Sequence, residues 1–217
     1  MQKIMFNDRY GLTQAVLEGK KTMTRRIIPI DLYNQTDWKA FADGDFEVVV
    51  DGEGYYHDIR NCGKYRVGEE VAVAQKYKDC WDIYQQQWEA KKDPFDWRTP
   101  DAILGDQVDR VKGWTNKMFV RADLMPHRIR ITNIKVERLQ DISEEDCLRE
   151  GIQEYFPYID RNPNDRVRTF QYFRDGKIRH RRWPASECFS LLIDDICGHG
   201  TWNRNPWVFA YEFELLK

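Results

Sequence analysis

The C-terminal segment, from Trp207 to Leu215, constrains the fold more than any other stretch of the chain. Large apolar residues occupy every second position, and smaller or acidic residues lie between them. The large positions are Trp207, Phe209, Tyr211, Phe213 and Leu215, and the positions between hold Val208, Ala210, Glu212 and Glu214. This alternation is typical of a β-strand with one strongly apolar face. Because so apolar a strand is poorly suited to an exposed edge, we expect it to be paired on both sides inside a sheet.

Other short segments also show strand patterns. They are Thr22 to Ile28, Phe46 to Val50, Tyr55–Tyr56, Val71 to Ala74, Met118 to Arg121 and Arg128 to Leu139. In the last of these, the apolar positions change parity near Thr132–Asn133, which indicates a bulge or a sharp bend of the kind found at barrel corners. The predicted fold class is therefore α+β, mainly β: a small β-barrel with short flanking helices.

A short helix is predicted just before Glu150. The sequence Ser143-Glu144-Glu145-Asp146 is a capping-box pattern, and Gly151 stops the helix soon afterwards. Glu150 therefore lies in the last turn, where the helix dipole disfavours a negative charge and favours the protonated acid. A surface glutamate at this position needs no function, whereas an acid–base residue would benefit from it.

Cations and hydroxyls are concentrated directly after the first predicted helix. That helix is predicted to be capped by Asn7 or Asp8 and to stop at Gly19. The stretch Gly19-Lys20-Lys21-Thr22-Met23-Thr24-Arg25-Arg26 holds four cations and two hydroxyls in eight residues. Such a cluster is poor core material and favours anion binding, and a solvated basic turn is the alternative interpretation.

The overall charge argues against a polycationic nucleic-acid binder. The net charge is −2 and the isoelectric point is near 6.1, so nucleic-acid binding must come from local patches. The five cysteines show no C-x-x-C pair and the four histidines are scattered, so we expect reduced thiols, no metal site and no cofactor. The sequence shows neither a signal peptide nor a long apolar run, which predicts a cytoplasmic protein without membrane contact; its oligomeric state stays open.

The segment from Arg161 to Arg182 carries the strongest local charge. Eight lysines and arginines stand against two acids there, and Asp175-Gly176 predicts a hairpin tip. One interpretation is an exposed hairpin made soluble by its charge. The other is a patch that follows a phosphate backbone, with bases stacked on Phe170, Tyr172, Phe173 and Trp183. In that case the nucleic-acid contacts would come from Arg174, Lys177, Arg179, Arg181 and Arg182.

Four segments together resemble the ASCH domain superfamily. They are Gly19-x-Lys21-x-x-x-x-Arg26, Val67-Gly68-Glu69-Glu70-Val71, Ile134 to Asp146 and Asn205-Pro206-Trp207-Val208-Phe209. The resemblance is closest to the larger ASCH-like proteins of phages and prophages, and it implies a PUA-like β-barrel that spans residues 1–217 as a single domain. Residues 76–117 and 153–182 lie outside the shared core and are expected to be insertions.

The resemblance also implies a function. Members of the superfamily are thought to bind or act on RNA in a cleft at the G-x-K motif. One branch of small proteins hydrolyses the acetyl amide of acetylated cytidine with a lysine, a threonine and a glutamate. The positions that match this catalytic set are Lys21, Thr24 and Glu150, and Gly19, Arg25 and Arg26 are implied to bind the substrate.

Three functions from different classes stay open at this point. In an amidohydrolase, Lys21 would be the base for Thr24 or for a water, and Glu150 would pass a proton to the leaving amine. In a non-catalytic RNA-binding module, Lys21 and Arg26 would hold phosphate, while Thr24 and Glu150 would read the edge of a base. In a phage structural or interaction protein, the cleft would be vestigial and the aromatic insertions would form a partner surface.

Overall fold

A computed structural model describes residues 1–91, 112–155, 169–182 and 184–216, and it describes only the backbone of Gln87, Lys91, His180, Arg181 and Arg182. The chain divides into two compact units. The first unit comprises Met1–Asn7, Glu70–Arg130 and Leu215–Lys217, and the second comprises Asp8–Glu69 and Ile131–Glu214. That the whole chain acts as a single domain stays a prediction.

The helices of the described residues have 4 to 15 residues and the strands 3 to 11. The helices are α1 (Leu12–Leu17), α2 (Ile30–Gln35), α3 (Trp38–Ala42), α4 (Tyr77–Lys91), α5 (Glu144–Arg149), α6 (Ala185–Cys197) and α7 (Thr201–Arg204). The strands are β1 (Gln2–Ile4), β2 (Met23–Ile27), β3 (Glu47–Val50), β4 (Tyr56–Asp58), β5 (Glu70–Val73), β6 (Arg128–Arg138), β7 (Gln153–Tyr155), β8 (Thr169–Arg174), β9 (Lys177–Arg182) and β10 (Trp207–Leu216). None of the helices in the described ranges has the length and apolarity needed to cross a membrane.

The fold is α+β, but it is not mainly β. Helices hold 40% and strands 30% of the described residues, so helix is the larger class. Five strands form one mixed sheet in the order β1-β5-β6-β10-β2, in which β1 runs parallel to β5. The described residues contain no closed barrel, in contrast to the prediction. The other strands pair with one another, β3 with β4 and β8 with both β7 and β9, and therefore do not close the sheet.

Strand β10 has two neighbours in the sheet, β6 and β2, as its apolar sequence predicted. Its central residues are all at most 2% exposed, so both faces of the strand are covered rather than one; they are Val208, Phe209, Ala210 and Tyr211. Strand β2 runs antiparallel to it, with Thr24 opposite Tyr211 and Arg25 opposite Ala210. Successive side chains of β2 therefore point to opposite faces of the sheet.

In the first unit, α4 packs on a small core. Its Tyr77 and Cys80 join a buried cluster that also contains Ala72, Ala74, Val120 and Met125. Half-buried aromatic residues pack against this cluster, namely Trp81, Tyr84 and Trp114. Part of the segment that was predicted to be an insertion thus belongs to the core of its own unit.

The strand predicted at Met118 to Arg121 is wrong. Residues Lys117–Phe119 form one short 3-10 helix and Ala122–Leu124 form another. The Asn116 side chain accepts a hydrogen bond of 3.0 Å from the backbone N–H of Met118. A local bond of this kind offers the backbone an alternative to a sheet ladder, which explains why the strand does not form.

The start of α1 also differs from the prediction. Residues Asp8–Tyr10 form a 3-10 helix, and Gly11, with a φ of 67°, is the residue that precedes α1. Asp8 does not cap the helix, because its carboxylate accepts a hydrogen bond of 2.6 Å from the Thr13 hydroxyl instead.

The predicted stop of α1 at Gly19 is confirmed. Gly19 has a φ of 70°, in the left-handed region that glycine enters without strain. Its N–H donates to the carbonyl oxygen of Val16 and the N–H of Lys20 donates to that of Ala15, both at 2.9 Å. This is the Schellman arrangement, and it turns the chain sharply into the residues that precede β2.

Candidate active site

The centre of the site is a buried ion pair between Lys21 and Glu150. The Lys21 Nζ atom donates to Oε2 of Glu150 at 2.6 Å and to the backbone carbonyl oxygen of Glu150, also at 2.6 Å. Both side chains are almost inaccessible, with exposed fractions of 2% and 6%. Residues 129 positions apart in the sequence therefore meet in the fold, while their catalytic roles stay predictions.

Helix α5 places Glu150 at its C-terminal end. The Ser143 side chain caps the other end, as predicted, by accepting a hydrogen bond of 3.0 Å from the backbone N–H of Asp146. The chain entering β2 is joined to this helix, because the N–H of Thr22 donates to the carbonyl oxygen of Arg149 at 3.0 Å. This backbone hydrogen bond by itself brings Lys21 next to Glu150.

Gly151 follows Glu150 in a backbone conformation that favours glycine. Its φ is 107°, which side chains rarely permit, and a Cβ atom there would lie 3.0 Å from Leu12 and 3.7 Å from the Lys21 stem. The glycine predicted to end the helix thus lies tightly against Leu12, while its distance from the Lys21 stem is that of an ordinary van der Waals contact.

Arg25 holds three carboxylates from one buried position. Its guanidinium contacts Glu137 at 2.6 Å, Asp146 at 3.1 Å and Glu150 at 3.2 Å, and its side chain is 1% exposed. Arg25 was predicted to bind the substrate. Its contacts are with carboxylates of the protein and its side chain is buried, and a role of Arg25 in substrate binding stays a prediction.

These contacts are part of a larger network of charges. Asp146 also lies 3.4 Å from Arg149, which contacts Glu212 at 2.8 Å, and Glu212 in turn contacts Lys135 at 3.1 Å. The network joins four cations with four carboxylates: Lys21, Arg25, Lys135 and Arg149 with Glu137, Asp146, Glu150 and Glu212. Because the charges balance, burial leaves no excess charge without compensation.

The sequence interpretation missed most of the acidic half of this network. Asp146 and Glu150 are four positions apart and both follow the capping serine, so their shared helix face was a usable signal. Glu137 gave no such signal, because it lies in β6 and meets Arg25 only after the sheet has formed.

Burial lowers the pKa of Lys21 below that of an ordinary lysine. The carboxylate of Glu150 acts in the opposite direction, and the positive charges of Arg26 and Arg25 lower the pKa further. A lowered pKa makes the neutral amine, which accepts a proton, available closer to neutral pH. This direction is the one that a lysine acting as a base would need, and the role of Lys21 as a base stays a prediction.

Thr24 is buried, at 5% exposed, and lies on the face of β2 opposite to that of Arg25. Its side chain shares that face with Tyr211, its cross-strand neighbour. Within the described ranges, its hydroxyl makes no hydrogen bond to Lys21, to Glu150 or to any other side chain. Of the three side chains that were predicted to lie together, Lys21 and Glu150 are in contact, and Thr24 makes no direct hydrogen bond to either.

Gly19 and Arg26 were also predicted to bind the substrate. Gly19 is exposed and has a clear structural role in ending α1. Arg26 is exposed as well, and its positive charge contributes to the lowered pKa of Lys21. A role of Arg26 toward a ligand is therefore compatible with its position and stays a prediction.

The basic hairpin forms as predicted, with β8 and β9 joined at Asp175-Gly176. Both tip residues have positive φ, 52° and 73°, as a tight two-residue turn requires. Arg174 is half-buried and lies 3.7 Å from Asp195 and 3.9 Å from Asp175. Lys177 and Arg179 are exposed, so phosphate contacts from these two residues stay a prediction.

Two of the aromatic residues of this hairpin are too buried to stack on bases, whereas Phe173 is half-buried. Phe170 and Tyr172 are each 2% exposed, and the Tyr172 hydroxyl donates to Asp195 at 2.9 Å. These rings belong to the core, which corrects the prediction that they stack on bases. The side chains of Arg181 and Arg182, and the whole of Trp183, lie outside the described residues.

Comparisons of the chain with family models, curated proteins and solved structures found no match. In the parts of the chain that the structure describes, no group of three or more His, Cys, Asp or Glu residues is arranged to hold a metal ion. All five cysteines are free thiols.

Acid should weaken the network at Glu212. Burial by itself raises the pKa of Glu212, but hydrogen bonds from Arg149, Lys135 and Asn133 outweigh it and lower the pKa to about 2. A pKa below that of the unfolded chain stabilises the fold above about pH 4.5, and this stabilisation is lost as the pH falls toward 2. Because solvent partly screens this carboxylate, Glu212→Gln should lower the free energy of unfolding at pH 7 by about 1–2 kcal/mol, less than the full shift would give.

Urea unfolding of the parent and of Glu212→Gln, measured between pH 7 and pH 2.5, tests this expectation. The difference between the two proteins should shrink as the pH falls, because protonation removes the charge that the variant already lacks. A difference that stays constant over this range would contradict the assignment.

Proposed function

We propose that this chain binds RNA or a modified nucleoside beside the Lys21–Glu150 pair and hydrolyses an acyl amide on the nucleobase. The observation that carries the proposal is the buried contact of 2.6 Å between an amine and a carboxylate at the positions implied by the ASCH resemblance. Membership of that superfamily, with its PUA-like fold, is part of the proposal.

The proposed reaction assigns one proton transfer to each member of the pair. Neutral Lys21 takes the proton of the Thr24 hydroxyl or of a water, and the oxygen attacks the acyl carbon. The amide C–N bond then breaks as a proton passes through Glu150 to the leaving amine of the base. If Thr24 is the nucleophile, a water subsequently hydrolyses its acyl ester. The lowered pKa of Lys21 supports the first step.

Arg25 has a positioning role in this mechanism. It holds Oε1 of Glu150 at 3.2 Å, while Lys21 holds Oε2. With both oxygens fixed, the carboxylate keeps one orientation, which is what a group that relays a proton needs.

The second candidate is ligand binding without catalysis. The ion pairs limit which chemical group such a site can bind. The cationic groups of Lys21 and Arg25 are already in contact with carboxylates, so a phosphate at these residues would compete with Glu150 and its neighbours. A nucleobase edge, which offers neutral donors and acceptors, suits such a site better than a phosphate does.

Incubation of the purified protein with a panel of acylated nucleosides, read by mass spectrometry, separates the two functions. We expect loss of the acyl group from one or more members of the panel, and Glu150→Gln, which keeps the shape of the side chain, should abolish it. Binding of the same nucleosides without any turnover would favour the binding module. Neither turnover nor binding would refute the proposed function.

A further inference from the structure

A loop is fastened to the face of the sheet that carries Thr24. The backbone N–H of Lys64 donates to the Tyr211 hydroxyl at 3.0 Å, and the ring of Tyr65 meets that of Tyr211 edge-on, with centroids 5.3 Å apart. Gly63 lies so close that a Cβ atom there would collide with the Tyr211 hydroxyl. The loop from Gly63 to Arg66 is therefore held at a defined place on β10.

The strand register relates this loop to the candidate site. Tyr211 lies opposite Thr24, and Phe209 lies opposite Arg26, so all four side chains belong to one face of the paired strands β10 and β2. The loop packs on the same face, because a Cβ atom at Gly63 would also lie 3.4 Å from the ring of Phe209. Loop and candidate nucleophile thus lie on one side of the sheet.

Three exposed cations gather on this side. Arg26 comes from β2, while Lys64 and Arg66 come from the loop. Arg66 is braced by a hydrogen bond from its guanidinium to the carbonyl oxygen of Gly63, and Lys64 lies 5.4 Å from the ring centre of Tyr65. Each of these contacts restricts a long side chain of the loop, and side chains that are already restricted lose less entropy when they bind an anion.

The charges of the loop and of β2 act on common neighbours. Burial raises the pKa of Tyr211, and the positive charges of Arg66 and Arg26 both oppose this rise. Arg26 also acts on Lys21, which links this surface to the buried pair. An acid lies nearby as well, since Glu69 accepts a hydrogen bond of 2.9 Å from the backbone N–H of Arg66. The carboxylate of Glu69 thus offsets part of this positive charge.

We propose that Arg26, Lys64 and Arg66 form a phosphate-binding rim, so that the ligand of this site is a nucleotide phosphate ester rather than a free nucleoside. The inference rests on the proposed function, and it names the chemical class of its substrate. Guanidinium groups bind phosphate through paired N–H donors, and an ammonium group adds a point charge. An uncharged nucleoside would gain only hydrogen bonds to neutral acceptors from three cations, whereas a phosphate beside the base would gain stronger charge-assisted bonds.

The experiment compares cytidine, cytidine 5′-monophosphate and a pentacytidylate strand by calorimetric titration of the full chain. The test variant is Lys64→Ala/Arg66→Ala. The matched control is Lys39→Ala/Lys78→Ala, which removes the same charge from exposed helix positions elsewhere. We expect the monophosphate to bind the parent at least about tenfold more tightly than cytidine, the scale of one charge-assisted hydrogen bond.

In the test variant this advantage should disappear, while the control should keep it. If the pentacytidylate binds the parent more tightly than the monophosphate does, and the test variant loses this affinity too, the phosphate comes from an RNA chain. If the two ligands bind equally tightly, the phosphate comes from a mononucleotide. Equal binding of cytidine and its monophosphate, absence of binding by both, or an unchanged affinity in the test variant would overturn the rim.

Two further ligands distinguish a failure of the phosphate-binding rim from a failure of the proposed hydrolase. If acetylcytidine and its 5′-monophosphate are hydrolysed with the same kcat/KM, the hydrolase stands and the rim is refuted. If ribose 5-phosphate binds as tightly as cytidine 5′-monophosphate, in a manner that needs Lys64 and Arg66, and no acyl nucleoside is hydrolysed, the rim stands and the proposed hydrolase is refuted.

Discussion

Replacing Arg25 by methionine should lower the free energy of unfolding by about 3–5 kcal/mol, the cost of removing one partner from a buried set of charges. Methionine fills a similar volume but leaves Glu137, Asp146 and Glu150 without the guanidinium that contacts all three. Urea unfolding followed by circular dichroism gives the value. Arg25→Lys should be almost as harmful, because a single ammonium does not reproduce the planar fork that contacts several carboxylates.

The adjacent residue provides the control for this change. Arg26 lies on the same strand but is exposed, so Arg26→Met should change the free energy of unfolding by no more than about 0.5 kcal/mol. A loss of less than about 1 kcal/mol in Arg25→Met, the range of a solvated surface pair, would mean that the network is not closed to water.

Thr24→Val should lower turnover of an acylated nucleoside at least about a hundredfold, as loss of a nucleophile or of its proton path does. The side chain is 5% exposed and, within the described residues, forms no hydrogen bond with Lys21 or Glu150. Valine has nearly the same shape, so stability and nucleoside affinity should both be retained. Steady-state kinetics and urea unfolding of the same preparation measure the two effects.

Thr36→Val is the matched control, because Thr36 is also buried but its hydroxyl donates to the carbonyl oxygen of Leu32 at 2.7 Å. This variant should lose about 1 kcal/mol of stability and keep its turnover, which is the reverse of the pattern expected for Thr24→Val. Turnover that survives in Thr24→Val would assign the attack to a water instead.

A test of Lys21 must separate its role in the chemistry from its contribution to stability. Lys21→Ala removes the amine from a pair that is at most 6% exposed, so lost activity would be confounded with lost stability. The double variant Lys21→Met/Glu150→Leu removes both charges together, and such replacements are often close to neutral for stability. Comparison of this variant with each single change separates the structural role of the pair from its chemical role.

Several features of the fold were predictable because a few neighbouring residues encode them. Gly19 stops α1, Ser143 caps α5, and Asp175-Gly176 turns the hairpin, each through bonds or backbone angles within a short span. The apolar alternation of β10 likewise predicted a strand with neighbours on both sides. Local sequence did not predict whether the strands close on themselves, since pairing between distant strands decides that.

The sequence by itself therefore determined where α1 stops and where α5 begins, the central strand and the identity of the charged groups that follow α1. Only the tertiary structure decided that Lys21, Thr24 and Arg25 are buried, although such a cluster reads as poor core material. The physical reason is that the cost of burying a charge depends on its partners. For Arg25 those partners lie 112 to 125 positions away, on β6 and α5, and a local pattern carries no information about them.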